Sequence, residues 1–249
     1  MIELKTEREI EIVKRNGQIL AKTLNLLEKK TRPGMKTKEL DQLAEDFIKK
    51  QGAHPAFKGY RGFPASICVS INEEVVHGIP GERVIESGQI VSLDVGIFKD
   101  GYYADAAETY PVGEVSEEAQ RLIRVTRQAL EHAIGSLKAG RHLSDVSFAI
   151  QSFVEENGFS VVRDLVGHGI GKKMHEEPQI PNFGLPGQGV VLKKGMVLAI
   201  EPMVNVGTYE ISTREDQWTI VTSDGSLSAH FEHTVAVTDN GAEVLTSED

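Results

Sequence analysis

Apolar residues recur at helical spacing in two long segments of the chain. The first covers residues 7–30, and Arg32-Pro33-Gly34 ends it. The second covers residues 117–138 and repeats the pattern. A shorter helix is predicted after each, with Thr37 as the N-cap of the one and Ser144 as the start of the other.

Short β-like runs follow both pairs of helices. These runs are residues 66–71, 90–98, 102–112, 196–206, 218–222 and 231–238. Each half therefore has the order helix, helix, strand, strand, which differs from an alternating βαβ pattern. We predict an α+β fold with a central, largely antiparallel sheet.

The two halves of the chain resemble each other. Residues 88–94 (GQIVSLD) and 195–201 (GMVLAIE) each run from a glycine through mostly apolar residues to an acid, at a shift of 107 positions. Glycines bracket the shorter helix of each half at a shift of 106 positions: Gly34 and Gly52, then Gly140 and Gly158. This repeat predicts a pseudo-twofold arrangement with a shared site between the halves.

Composition narrows the class of protein. The 249 residues are 40% hydrophobic and 26% charged, as in ordinary soluble enzymes, and no apolar run approaches the ~20 residues of a membrane span. The charged start without a signal-peptide core, and the single cysteine, Cys68, favour the cytoplasm. A net charge of −10 argues against nonspecific nucleic-acid binding. We expect one catalytic domain over 1–249, with internal halves of roughly 1–115 and 116–249.

Acids in apolar strands are the first candidate chemistry. Asp94 and Asp105 flank the hairpin turn signal Lys99-Asp100-Gly101. An even-numbered loop would place both acids on one face of the sheet, and an odd-numbered loop would separate them. Glu201 and Glu232 occupy related places in the second half. If the four acids converged without cations, repulsion of about 4 kcal/mol per pair at ~4 Å would keep some protonated, whereas two divalent cations would cancel their charge.

Histidines beside glycines are the second candidate chemistry. His168 lies in VGHGIGKKMHEEP, and His77 lies in the similar VVHGIPG of the first half. One ring is expected to be a metal ligand and the other a substrate-facing acid or hydrogen-bond donor. His175 is a third candidate. Cys68 has no adjacent base, which favours a packing or pocket-wall role over that of a nucleophile.

These motifs together resemble the bacterial type I methionine aminopeptidases over essentially the whole chain. They occur in the order DVG…GYYAD, GHGIG…MHEEP, MVLAIEPM and FEHTVAVT. The resemblance implies the two-halved "pita-bread" (creatinase/aminopeptidase) fold. It also implies metal-dependent removal of the initiator methionine from nascent polypeptides whose second residue is small.

The same resemblance implies the roles of individual residues and two divalent metal ions, among Co, Mn, Fe, Zn and Ni. The implied ligands are Asp94 to one metal, Asp105 and Glu232 to both, and His168 and Glu201 to the other. A water or hydroxide that bridges the metals would be the nucleophile. Glu201 would move the proton, and His77 and His175 would contact the scissile peptide. The implied methionine pocket consists of Phe57, Tyr60, Phe63, Cys68, His77, Met174 and Trp218.

The expected partners are the N-termini of nascent peptides and, transiently, the ribosome. No specific nucleic acid or membrane partner is expected. The protein is expected to be a monomer.

The nearest alternative is a prolidase or aminopeptidase P, but these usually carry an extra N-terminal domain and only about 30 residues precede the first repeat here. A type II enzyme would have a helical insertion that residues 168–201 do not accommodate. An inactive binding module would be expected to have lost ligands that are all present here.

Overall fold

Four α-helices form in residues 2–248, the part of the chain that the computed structural model describes. They are α1 (Glu7–Lys30), α2 (Thr37–Lys50), α3 (Glu117–Ser136) and α4 (Leu143–Glu156), with a short 3₁₀ turn at Tyr60–Gly62. The prediction of α1 is confirmed, and α3 ends two residues before its predicted end. Within the same residues, no helix combines the length and apolar composition needed to cross a bilayer.

The starts of α2 and α4 correct the sequence prediction by one residue. Thr37 is the first helical residue of α2 and not its N-cap, which is Lys36; α4 starts at Leu143 rather than Ser144. An acid in each first turn accepts a hydrogen bond from the backbone N–H of the cap residue, Glu39 at 2.7 Å in α2 and Asp145 at 3.1 Å in α4. The Thr37 hydroxyl instead bonds the backbone of a neighbouring loop.

Fifteen strands accompany these helices within residues 2–248. They are β1 (His54–Pro55), β2 (Cys68–Ile71), β3 (Glu74–Val76), β4 (Ile90–Lys99), β5 (Tyr102–Pro111), β6 (Ser160–Val161), β7 (Val166–Gly169), β8 (Glu176–Pro181), β9 (Val197–Ile200), β10 (Met203–Asn205), β11 (Ile211–Thr213), β12 (Ile220–Thr222), β13 (Ser228–His230), β14 (Glu232–Val237) and β15 (Ala242–Val244). The run predicted over 196–206 is two strands. Pro202 interrupts it, because proline has no N–H for a strand ladder, and Glu201 lies at the break.

The central sheet has nine strands and joins the two halves of the chain. Its order is β1-β4-β5-β14-β9-β7-β8, with β2 also paired to β4 and β15 to β14, and all these pairs are antiparallel. The halves meet where β5 pairs with β14. Isolated bridges at equivalent places, Lys36 with Val84 and His142 with Val191, repeat the local geometry of one half in the other. The predicted α+β antiparallel architecture is confirmed, whereas the single catalytic domain and the boundary between its halves at residues 115 and 116 stay predictions.

The hairpin between β4 and β5 decides the position of the first two acids. Its loop has two residues, Asp100 and Gly101, both with positive φ, at 51° and 83°. In the resulting register Gly96 lies opposite Asp105, two positions along β4 from Asp94. The loop is therefore even-numbered, and both acids lie on one face of the sheet.

The β5–β14 seam is completed by a side chain. Thr234 is fully buried, and its hydroxyl donates to the backbone oxygen of Asp105 at 2.8 Å and accepts from the Asp105 N–H at 3.0 Å. This one hydroxyl thus takes the place of a ladder hydrogen-bond pair at the junction of the halves.

We expect Thr234→Val to lower the free energy of unfolding by about 1–3 kcal/mol, because the substitution leaves buried backbone groups of Asp105 without partners. Urea denaturation measures this loss. Thr213→Val, the same change at an exposed position of β11, is the control and should alter stability by no more than ~0.5 kcal/mol. Equal effects of the two substitutions would contradict the role assigned to Thr234.

Candidate metal centre

Five strands bring acids and one imidazole into a single cavity of about 270 Å³. The residues are Asp94 on β4, Asp105 on β5, His168 on β7, Glu201 just after β9 and Glu232 at the start of β14. Possible ligand atoms of Asp105, His168 and Glu232 all lie within 4.8 Å of one another. His168 Nε2 lies 3.6 Å from Glu201 Oε1. The structure therefore brings together the residues that the sequence singled out as possible ligands.

The four acids lack a compensating cation from the protein. Asp94, Asp105 and Glu232 are at most 8% exposed, and each has one carboxylate oxygen without a hydrogen-bond partner. Within residues 2–248 none of the four forms an ion pair with lysine or arginine. Such burial is costly for ionised carboxylates unless cations accompany them.

Burial also raises the pKa values of all four acids, and mutual repulsion raises those of three of them further. Burial raises the pKa of Asp94 to about 7. Burial raises the pKa of Asp105 well above its usual range, and the charges of Glu232 and Asp94 raise it further. The pKa values of Glu201 and Glu232 are raised for the same two reasons, burial first and neighbouring acids second. Divalent cations would relieve both causes, so this oxygen-rich set with one imidazole fits a metal centre.

The backbone around His168 orients its ring. Nδ1–H donates to the carbonyl oxygen of Gly169 at 2.9 Å, which leaves Nε2 on the side of Glu201. A Cβ at Gly167 would collide with the backbone of Ala199, and one at Gly169 with that of Glu177. The glycines therefore let β7 fit between its neighbours. Burial lowers the pKa of His168 to about 4, so the ring is neutral at neutral pH and its Nε2 is available to a metal.

Two further histidines line the cavity. His77 follows β3 with a φ of 60°, a conformation that non-glycine residues adopt rarely and that is concentrated at functional sites. Burial lowers its pKa to about 4. The ring of His175 stacks on Tyr60, and its Nδ1 shares a 2.8 Å hydrogen bond with the Tyr60 hydroxyl. The centroids of the His175 and His168 rings are 4.2 Å apart. Imidazoles from both halves thus border the acids.

The rest of the cavity wall is mostly aromatic or apolar. Phe57, Tyr60, Phe63, Cys68 and Trp218 form it, together with His77. Phe63 packs edge to face against Trp218, with ring centroids 5.1 Å apart. Met174 does not line the cavity. It is 1% exposed and packs beside Gly96, where the lining residue Phe57 also lies, so its place in the methionine pocket stays a prediction.

Some residues of the site were not anticipated from the sequence. Additional lining residues are Arg61, Val76, Asp164, Leu165, Val166 and Met203. His230 is also next to the centre: it is 2% exposed, Nε2 lies 3.9 Å from Glu201 Oε2, and neither ring nitrogen has a hydrogen-bond partner. The sequence could have indicated this residue, because His230 lies two positions before Glu232 and side chains two positions apart in an extended chain point to the same side.

The fold and the acid-lined cavity are those of a metallopeptidase, and the chain belongs to metallopeptidase family M24, whose family model matches residues 11–239. The match spans both halves and every candidate ligand. The solved structure of a prolidase from Pyrococcus horikoshii, with a TM-score of 0.80, shares the fold at 23% identity, with 99% of this chain and 64% of that one covered.

Within this family, the similar proteins of high identity are methionine aminopeptidases. The enzyme of Clostridium perfringens is 55% identical and methionine aminopeptidase 1 of Bacillus subtilis is 54% identical, each over 99% of both chains. The solved methionine aminopeptidase of Thermotoga maritima has a TM-score of 0.98 at 53% identity, with both chains fully covered. The predicted family, the bacterial type I methionine aminopeptidases, and the predicted two-halved fold are confirmed.

The raised pKa of Asp94 predicts how the stability of the metal-free protein depends on pH. Its carboxyl binds its proton more tightly in the folded state, so this contribution is greatest below the ordinary pKa of 3.8 and is lost as the pH rises through about 7. The wild-type protein, freed of metal by a chelator, should therefore lose stability relative to Asp94→Asn as the pH rises. Its urea midpoint minus that of Asp94→Asn should be smaller at pH 8 than at pH 5. Added Mn²⁺ should raise the wild-type midpoint more at pH 8, because bound carboxylates are deprotonated.

Asp216→Asn is the matched control for this measurement, because Asp216 is an exposed acid outside the cavity. The difference in urea midpoint between Asp216→Asn and the wild type should not change sign with pH or with added Mn²⁺. A wild-type midpoint that ran parallel to that of Asp94→Asn from pH 5 to pH 8 would contradict the prediction.

Proposed function

We propose that the protein hydrolyses the peptide bond after an N-terminal methionine, in a metal-dependent reaction, on chains whose second residue is small. The observation that carries this proposal is the joining of an acid-rich centre to an apolar pocket within one cavity. The names of the relatives, methionine aminopeptidases at about half identity over the full chain, support the same reaction.

Two divalent cations are part of the proposal. Their ligands would be Asp94, Asp105, His168, Glu201 and Glu232. When bound, such cations supply Lewis-acid polarisation of the peptide carbonyl and activation of water. Co, Mn, Fe, Zn and Ni all accept this type of ligand set, and their supply in the cell would decide among them.

Glu201 is proposed to move the proton during attack on the peptide. Its carboxylate lies between two imidazoles, with Oε1 3.6 Å from His168 Nε2 and Oε2 3.9 Å from His230 Nε2. Burial and the neighbouring acids raise its pKa. That rise belongs to the metal-free protein; with cations bound the carboxylate would be ionised, so it could take a proton from the attacking water and release it to the leaving amine.

His77 and His175 are proposed to bind the scissile peptide. Both have lowered pKa values, His77 through burial and the charge of His175, and His175 through burial and the charge of Arg61. Their rings are therefore neutral at neutral pH. The bond to Tyr60 occupies Nδ1 of His175 and leaves Nε2 for the substrate. Donors of this kind stabilise an oxyanion without adding a full charge.

The apolar end of the cavity is proposed to hold the methionine side chain. Phe63, Cys68 and Trp218 offer aromatic and sulfur surface, which suits a polarisable thioether. With the side chain there, the free amine would lie near the acids at the other end. Only a chain end has such an amine, which accounts for exopeptidase action.

The setting of the reaction is also proposed. The substrates would be the N-termini of nascent peptides in the cytoplasm, and the enzyme would act as a monomer that associates transiently with the ribosome. The absence of a membrane-spanning helix within residues 2–248 agrees with this setting.

A peptide panel tests the reaction. Protein loaded with Co, Mn or Fe should release methionine from Met-Ala-Ser, because the side chain fills the apolar end and the small second residue clears the rim. Release from Met-Lys-Ser should be at least tenfold slower, within the range that one side chain contributes to specificity. Amino-acid analysis of the products gives the rates.

Ala-Pro-Phe provides the decisive comparison in this panel. It should not be cleaved. Preferential cleavage of this Xaa-Pro peptide over Met-Ala-Ser would transfer the protein to the prolidase branch of the fold.

Glu201→Gln tests the proton carrier. We expect kcat to fall by about 10²–10⁴, the usual contribution of a general acid–base group, while circular dichroism shows an unchanged fold. Glu215→Gln, the same change at an exposed acid, should leave kcat unchanged. Near-normal turnover by Glu201→Gln with its metal content intact would contradict the role proposed for Glu201.

A further inference from the structure

Residues 2–5, here called the strap, lie against the loop that carries His175, residues 170–176, here called the imidazole loop. The strap is fixed to the turn before β9 by the Lys5 N–H, which donates to the carbonyl oxygen of Gly195 at 2.7 Å. It contacts the imidazole loop through two ion pairs, one buried and one exposed.

The buried pair joins Lys5 to Glu176. The Lys5 side chain is only 1% exposed and that of Glu176 is 11% exposed. The lysine reaches its partner by passing directly against Gly171, where any Cβ would collide with Lys5 Cε. The imidazole loop is therefore shaped around this lysine, and the ammonium group ends beside the residue that follows His175.

Glu176 connects the strap to both ends of the turn that presents His175. Oε2 accepts from Lys5 Nζ, and Oε1 accepts from the backbone N–H of Lys173 at 3.0 Å. His175 lies between these two anchored positions. Its ring is held separately by the Tyr60 hydroxyl at 2.8 Å. One contact thus fixes the ring, and the carboxylate of Glu176 fixes the backbone that carries it.

Stability alone is a weak reason for this arrangement. An apolar pair of the same volume is often at least as stable as a buried ion pair, because desolvation offsets the attraction. The exposed pair between Glu3 and Lys172, at 2.6 Å, already joins strap and loop without that cost, although solvent-screened pairs of this kind contribute little. The buried pair adds a fixed orientation of the Glu176 carboxylate, because one of its oxygens must face Lys5.

We propose that Lys5, acting through Glu176, is a positioning residue that holds His175 in place for the substrate peptide. The proposal rests on the function proposed above, in which His175 contacts the scissile bond. Neither Lys5 nor Glu176 lines the apolar pocket or contacts the candidate metal ligands through a hydrogen bond. Its effect should therefore fall on turnover, with methionine affinity and metal content unchanged.

Lys5→Met tests the proposal, because it removes the charge and retains an unbranched apolar chain beside Gly171. We expect kcat for Met-Ala-Ser to fall about tenfold to a hundredfold, as small misplacements of a catalytic contact do, with KM changed by less than about threefold. Titrated metal content should equal that of the wild type. Glu3→Gln, which removes the exposed pair of the same strap, is the matched control and should keep wild-type kcat.

The double variant Lys5→Met/Glu176→Gln separates positioning from stability. Lys5→Met alone leaves a buried carboxylate unpaired and should lower the urea midpoint; the double variant removes that charge and should recover it. If Lys5 positions His175, kcat of the double variant stays at least tenfold low despite the recovered midpoint. Recovery of kcat together with the midpoint would overturn the proposal, as would wild-type kcat in Lys5→Met.

The ring of His175 gives a readout that does not depend on turnover. Its imidazole NMR signals, assigned by comparison with His175→Gln, should shift in Lys5→Met and in the double variant but not in Glu3→Gln. Unshifted signals in Lys5→Met would overturn the proposal. A wild-type protein that failed to cleave Met-Ala-Ser would instead refute the proposed function, and the NMR comparison would still decide whether Lys5 positions His175.

Discussion

Burying four carboxylates in one cavity is the constraint on which the rest of this structure depends. No lysine or arginine within residues 2–248 neutralises them through an ion pair, and burial together with their mutual repulsion raises their pKa values. The protein fold by itself does not offset the free-energy cost of ionising these acids, because each ionised acid loses its hydration and gains a like-charged neighbour. The cavity therefore has a strong preference for positive charge, and the surrounding neutral imidazoles, with pKa values near 4 at His77 and His168, do not supply it.

The pseudo-twofold arrangement explains how a chain can assemble such an unfavourable cluster. Each half contributes two acids from adjacent antiparallel strands, Asp94 and Asp105 from one half and Glu201 and Glu232 from the other. The halves need only pair β5 with β14 to bring all four together. Two hydrophobic clusters, one that includes α1 and α2 and one that includes α3 and α4, provide the stability that the acids remove.

Much of this could be predicted because it depends on local rules. Helical periodicity located α1 and α3, and the turn signal Lys99-Asp100-Gly101 located the hairpin between the first two acids. The parity of its loop was left open by the sequence, and the two-residue loop of the structure decides it. The remainder depends on contacts between distant segments. The packing of Met174 beside Gly96 and the path of Lys5 along Gly171 have no local signature. The helix starts were displaced by one residue because acids three positions later, and not Thr37, cap them.

The cavity combines two kinds of surface. Its carboxylates favour positive charge, and its aromatic wall, which includes Phe63 and Trp218, favours an apolar side chain. An internal peptide segment has no free amine to place among the acids, and its backbone would have to continue through the cavity in both directions. A terminal residue satisfies both surfaces at once. If the substrate binds as proposed, selection for a chain end needs no dedicated gate, because only a terminus offers both an amine and a side chain to these two surfaces.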